Sequence, residues 1–231
     1  MNAAYSVSAH YDGGLDVGDL EAWASGLRNQ FTGEEISLGF VFVTPPFFDN
    51  AAELLEILRV HARIPLLIGC SSGGLIANAQ ELEKDSGVVL SLHHLPKASL
   101  KAIHFTQEQV EQGDREGFWR EETGVSESNG WLVFADPFQI NAEQWLEQWN
   151  TNWPFVPVLG GLASGSQQQQ RTQVYLNGNV YEEGNVALSV GGAVALCSVI
   201  SQGCTPIGEI WTITRVEDNV IYEIGNRPAY E

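Results

Sequence analysis

Residues 38–74 read LGFVFVTPPFFDNAAELLEILRVHARIPLLIGCSSGG. A Val- and Phe-rich run halts at Pro45, which cannot donate to a strand ladder. Asp49 then stands as a helix N-cap before AAELLEILRV, whose apolar groups recur at helical spacing. IPLLIG is a second apolar run, and it ends in a loop of small residues. Strand, helix, strand with buried strands predicts a parallel pair joined by a right-handed crossover.

The same order returns downstream. VFADPFQ at 133–139 aligns with VFVTPPF at 41–47, matching Val41 with Val133, Phe42 with Phe134 and Pro45 with Pro137 at an offset of 92. Without a gap this offset also matches Leu54 with Leu146, Pro65 with Pro157, Gly69 with Gly161, Ser72 with Ser164 and Gly73 with Gly165. It sets Cys70 against Leu162. Asn141 is the N-cap of the second helix, NAEQWLEQW, and VPVLGG is its second strand. GVVLSLHHL (87–95) and NVALSVGGA (185–193) then match at an offset of 98, with Leu90 over Leu188. The intervening SGSQQQQR reads as a lengthened surface loop.

The expected fold is therefore mixed α/β: two β-α-β-loop-β units, about 37–95 and 130–193, inside one domain spanning 1–231. AYSVSAH predicts a strand and VGDLEAWASGLRNQF a helix ahead of the first unit. Asn177-Gly178 signals a hairpin, and two closing strands flank Glu217, Asp218 and Asn219. Residues 108–129 hold seven acidic side chains and few apolar ones, which reads as a linking helix and loop, or a lid. Trp145, Trp149 and Trp153 share a helix face and predict core.

Eleven Lys and Arg against 29 Asp and Glu give a formal charge of −18, which argues against nucleic acid and anionic membranes as partners. The N-terminus has neither a basic segment nor an apolar signal core, and no run is long enough to span a membrane. Three cysteines, an odd number without C-x-x-C spacing, fit a reducing compartment. These features predict a cytoplasmic protein with no metal and no cofactor.

GCSSGG and GGLASGS are the candidate chemistry. Small-residue loops at the carboxyl ends of strands can present N–H groups to a carboxylate or phosphate. Neither is a phosphate-binding G-x-x-x-x-G-K-[ST] loop. Gly69, Cys70, Ser71, Ser72 and Gly73 from the first loop are candidate ligand contacts, with Gly161, Ser164 and Gly165 from the second. Cys204, in SQGCTPIG, and Arg215 complete that set. Cys70 could alternatively be the nucleophile of a hydrolase or transferase, with His93 or His94 as base. Leu162 at the matching position favours a packing role for Cys70 instead. A third alternative is a protein-interaction domain without a metabolite.

LLIGCSSGGLI (66–76), LGGLASG (159–165) and VISQGCTPIGEIWTITRVEDNVIYEIGNRPA (199–229) resemble the N-terminal sensory domain of the FIST family. The resemblance implies a non-enzymatic cytoplasmic sensor in signal transduction, with amino acids or related metabolites as ligands. It also implies a C-terminal FIST partner domain or another signalling module downstream. That partner domain would start near residues 226–231, and it is expected to be missing from this chain. Family members often carry a basic residue where this chain has Thr205, so an anionic ligand would rely on Arg215, Arg227 or backbone N–H groups.

Overall fold

The computed structural model describes residues 5–33, 35–83, 87–165, 170–199, 203–205 and 207–230. The chain divides into two compact units, Met1–Cys197 and Ser198–Glu231.

In the first unit, strand β1 (Ser6–Tyr11) leads into helix α1 (Val17–Gln30), capped by Asp16, which accepts the Asp19 N–H. Strand β2 (Leu38–Val43) ends before a 3-10 turn (Pro45–Asn50) and helix α2 (Ala51–His61). The helix starts from Asn50 rather than the expected Asp49, because the 3-10 turn extends to Asn50. The Asp49 carboxylate instead meets Arg171 at 2.9 Å. Strand β3 (Leu67–Ser71), a hairpin of β4 (Gly74–Ala77) and β5 (Gln80–Glu83), and β6 (Val88–His93) follow.

Strand β7 (Ala98–Phe105) opens the second half, and α3 (Gln107–Gln112) and α4 (Phe118–Thr123) lead to β8 (Gly130–Ala135). Helix α5 (Ala142–Asn152) carries the expected cap, the Asn141 side-chain Oδ1 accepting from Gln144 N–H at 3.1 Å. Strand β9 (Val158–Leu162), the hairpin β10 (Val174–Leu176) and β11 (Asn179–Tyr181), and β12 (Asn185–Gly192) complete it. The hairpin turns at Asn177 with φ 56°, as its Asn-Gly predicts. Of the lengthened loop, Ser164, Gly165, Gln170 and Arg171 are described, and 166–169 lie outside the described residues.

Two sheets result, ordered β1-β6-β2-β3-β10-β11 and β7-β12-β8-β9. In each the crossover pair is parallel, β2 with β3 and β8 with β9, and every other neighbour is antiparallel. The repeated order thus begins at β1 and β7, upstream of 37 and 130. Strand β7 was not foreseen.

Alternation fixes the layers. Val41 and Val43 face α1 and α2 with Leu20, Leu27, Leu54 and Leu58. Trp131 and Val133 face the opposite helix layer, where Trp119, Trp145, Trp149 and Trp153 are buried. Between the sheets lie Phe40, Phe42, Ile68 and Cys70 against Leu132, Phe134, Val186 and Leu188. Phe42 and Phe134 meet edge to face at 5.6 Å. The acidic 108–129 segment is no lid, because its Val110, Phe118 and Trp119 are buried in the tryptophan cluster.

Register corrects the expected alignment by one residue in two places. Val41 lies opposite Gly69, whereas Val133 lies opposite Gly160, not Gly161. A Cβ on Gly69 would fall 1.8 Å from the Val41 carbonyl oxygen, and one on Gly160 would fall 1.9 Å from that of Val133. Gly160 also sits at φ 151°. The partner of Cys70 is therefore Gly161, and Leu162 matches Ser71. Likewise Leu90 corresponds to Ala187, not Leu188, since each lies opposite the matched valine. A one-residue slip exchanges faces. Leu90 indeed packs on the helix side and Leu188 between the sheets.

In the second unit β13 (Ile213–Glu217) and β14 (Val220–Ile224) pair around Asp218 at φ 52°, and the two-residue β15 (Arg227–Pro228) adds an edge.

Substituting alanine at Gly69 or Gly160 is expected to destabilise the fold by about 3 kcal/mol, since the added carbon meets backbone that cannot move aside. Gly161→Ala, with nothing within 4 Å of the new carbon, should be near neutral. Urea denaturation of the three variants checks this, and a neutral Gly160→Ala would disprove the assigned register.

Candidate functional site

Both Gly/Ser loops leave the carboxyl ends of the parallel strands, and the structure brings them together. Ser164 N–H donates to the Ser71 carbonyl at 3.1 Å, and Gly73 N–H donates to Ser164 Oγ at 2.9 Å. A cleft of about 610 Å³ opens beside this link, lined by Gly73, Gly74, Pro137, Phe138, Ser164, Gly165 and Thr172 among others. A smaller pocket of about 240 Å³ touches Cys70, Ser71, Ser72, Gly161 and Ser164 over Phe42 and Phe134.

The backbone donors on which a carboxylate would rely are mostly engaged. Ser71 N–H bonds the Gln173 carbonyl at 2.8 Å, Ser72 N–H that of Val43 at 2.9 Å, and Ala163 N–H that of Ala135 at 2.7 Å. Ser72 Oγ donates to the Gly74 carbonyl of its own loop. The exposed Gly73–Ser164 bond is the contact whose acceptor a ligand could replace.

Gly165 is not an open lining position. A Cβ there would lie 2.6 Å from the Arg171 carbonyl oxygen and 3.1 Å from Phe48, whereas Gly73 has only ordinary contacts, 3.8 Å and beyond. Gly69 is a strand residue pressed on Val41 and contributes no surface to the cleft.

Asp136, Phe138, Arg171 and Thr172, all near the cleft, were missed. Asp136, buried at 2% exposure, accepts the N–H groups of Phe138 and Gln139 and the Thr172 hydroxyl at 2.9 Å. It thereby fixes the turn that places Pro137 and Phe138 on the cleft wall. Asp-Pro after a strand is the signal that pointed to this turn. Arg171 pairs with Asp49 at 2.9 Å and Glu182 at 2.6 Å and lies over the Phe48 ring, so its charge is already committed. Nothing in the SGSQQQQR stretch marked it.

Cys70 is buried, and desolvation pushes its thiol up to about 12. His93 pairs across from Leu38 while Cys70 pairs across from Phe42, four residues along β2 or roughly 13 Å. His93 Nε2 bonds Ser91 Oγ at 2.8 Å, burial lowers its pKa, and His94 Nδ1 bonds the Glu35 carbonyl at 2.7 Å. Neither candidate histidine therefore serves this thiol, and the nucleophile reading with them as base loses its geometry. The packing role survives although Leu162 is not the matching residue.

Cys204 and Arg215 belong to the second unit. Cys204 is exposed there, and Arg215 meets Glu223 at 3.5 Å and lies 4.8 Å over the Tyr222 ring. Among the described residues no cluster of three His, Cys, Asp or Glu side chains could hold a metal, and no helix is long and apolar enough to cross a membrane.

Another cleft, of about 640 Å³, lies between the α3–α4 turn and α5. Several of its polar groups satisfy one another: Arg120 donates twice to the Asn152 carbonyl, and Gln148 donates to Val110 and Asp114 while accepting from Trp119.

The FIST N domain family model matches residues 37–227, and the chain belongs to that family, whose members are generally sensory domains of signal transduction. An uncharacterized protein of Mycobacterium tuberculosis is 29% identical over 205 residues, covering 89% of this chain and 52% of that protein. One of Mycobacterium bovis is 27% identical over 204 residues, 88% and 52%. One of Methanocaldococcus jannaschii is 21% identical over 191 residues, 79% and 37%. The chain thus spans about half the length, or less, of the curated relatives it matches.

With iodoacetamide near neutral pH, Cys197 and Cys204 should label readily and Cys70 only after denaturation. Mass spectrometry of the folded protein checks this, and fast labelling of Cys70 would restore the nucleophile reading.

Proposed function

We propose that residues 1–231 act as one internally duplicated, cytoplasmic sensory domain that binds a small polar metabolite, an amino acid or close relative, between its paired Gly/Ser loops. Occupancy passes to a downstream signalling or C-terminal FIST partner domain. The observation that supports this is the exposed Gly73 N–H···Ser164 Oγ bond at the mouth of the 610 Å³ cleft. A ligand carboxylate replacing Ser164 Oγ as acceptor would receive the Gly73 N–H and the freed Ser164 hydroxyl. Charge-assisted bonds of this kind are worth about 1.5–3 kcal/mol each.

The charge of −18 refines the ligand class. A plain anion is repelled by the field of the whole protein, whereas a zwitterion carries no net charge through it. An amino acid therefore keeps the local carboxylate contacts without the global cost. Two such contacts supply about 3–6 kcal/mol before the cost of association, so the expected affinity is millimolar or weaker unless the apolar cleft wall adds to it.

A thermal-shift screen of amino acids tests the reading: a ligand at 100 Kd should stabilise the protein by about 2.7 kcal/mol. Gly73→Val, whose side chain enters open cleft, should fold normally and weaken binding at least tenfold. Gly165→Val is unsuitable, since it presses on the Arg171 backbone. If no amino acid or related metabolite shifts the transition, the domain is an interaction module instead.

A further inference from the structure

The β4–β5 and β10–β11 hairpins are equivalents. Each follows a Gly/Ser loop, and each turns at an asparagine of positive φ, Asn78 at 53° and Asn177 at 56°. Across the turns Ala77 pairs with Gln80 as Leu176 pairs with Asn179, and Leu75 with Leu82 as Val174 with Tyr181. Their surroundings differ. Strand β10 crosses to the other half and pairs with β3, setting Val174 opposite Cys70, Tyr175 opposite Gly69 and Leu176 opposite Ile68. Strand β4 pairs with β5 alone, and β9, the counterpart of β3, has β8 as its one ladder neighbour among the described residues.

The hairpin already lies beside that open edge. Leu75 and Ala77 are buried against Val89 and Phe42, residues on the inter-sheet side of the first sheet, so β4 occupies the layer of the second. Asn78 Nδ2 anchors the tip to the Ser8 carbonyl at 3.1 Å. Ile76 is 76% exposed although its equivalent, Tyr175, is fully buried. Ile76 and Gly160 border one cavity of about 380 Å³, walled by Phe40, Phe42 and Phe134.

We propose that the β4–β5 hairpin docks on the free edge of β9 as β10–β11 docks on β3, extending the second sheet and burying Ile76. The β3 register transfers directly and sets Leu75 opposite Gly161, Ile76 opposite Gly160 and Ala77 opposite Leu159. The backbone is oriented for it. Ala163 N–H bonds Ala135 on the β8 side, so along a parallel ladder Gly161 also points to β8, and Gly160 and Leu162 point to the open edge. The matching outward group in the first sheet, Ser71 N–H, bonds Gln173. An unpaired edge of this kind is a template for an added strand, and continuity with the established β3–β10 pairing selects this chain's own hairpin. The inference is independent of any ligand.

Residue-resolved amide exchange by NMR on the full chain tests it. Docking predicts that the Gly160, Leu162 and Ile76 amides exchange at least tenfold more slowly than their intrinsic rates. It also predicts an Hα–Hα cross-peak between Leu75 and Gly161. Ile76→Asp, tolerated where the side chain is exposed but not where it is buried, should abolish that protection and leave the Gly69 and Tyr175 amides unchanged. Intrinsic-rate exchange in the unmodified protein would overturn the proposal. So would protection that persists in Ile76→Asp, because another occupant would then cover the edge.

Discussion

In each half of the larger unit a glycine lies flat against a carbonyl of the preceding parallel strand, Gly69 on Val41 and Gly160 on Val133. No side chain fits at either contact, so the crossover strand can sit in one register only. That register settles which residues reach the ends of β3 and β9, and hence where the two small-residue loops begin. The rest of the larger unit follows from having this contact twice.

With the registers fixed, alternation assigns the faces. Phe42 and Phe134 project between the sheets, and their edge-to-face contact at 5.6 Å holds the two halves together beneath the loops. The loops then emerge at one end, close enough for Gly73 to bond Ser164. The same arrangement isolates Cys70 in the inter-sheet core, where burial keeps the thiol protonated and no histidine reaches it. A chemistry that looked available from residue types alone is thereby removed by position.

The strand, proline, helix, strand order was legible because Pro45 and Pro137 interrupt apolar runs at one offset and tryptophans mark a helix face. The exact register was not. In VLGGLASG two adjacent glycines compete, and letter matching selects Gly161 while the close approach to Val133 requires Gly160. Leu90 and Leu188 match as letters but point into different cores. Strand β7 went unseen because its ASLKAIHF is half-exposed and lacks clean alternation. The β4–β5 turn uses Asn78-Ala79, and alanine at φ 105° leaves no trace in a sequence, unlike Asn-Gly in the sister hairpin. The convergence of the loops was legible as an expectation, but not that their own hydrogen bonds would occupy most of the donors.

The proposed ligand contact lies at the exposed Gly73–Ser164 link between the two loops. The most direct measurement is a ¹H–¹⁵N titration with amino acids, following the Gly73 and Ser164 amides. The account predicts saturable shifts centred on these two residues, with smaller changes at Gly74 and Phe138. Shifts that leave them unmoved and gather instead around Gly113 and Gln148, at the helical cleft, would contradict it.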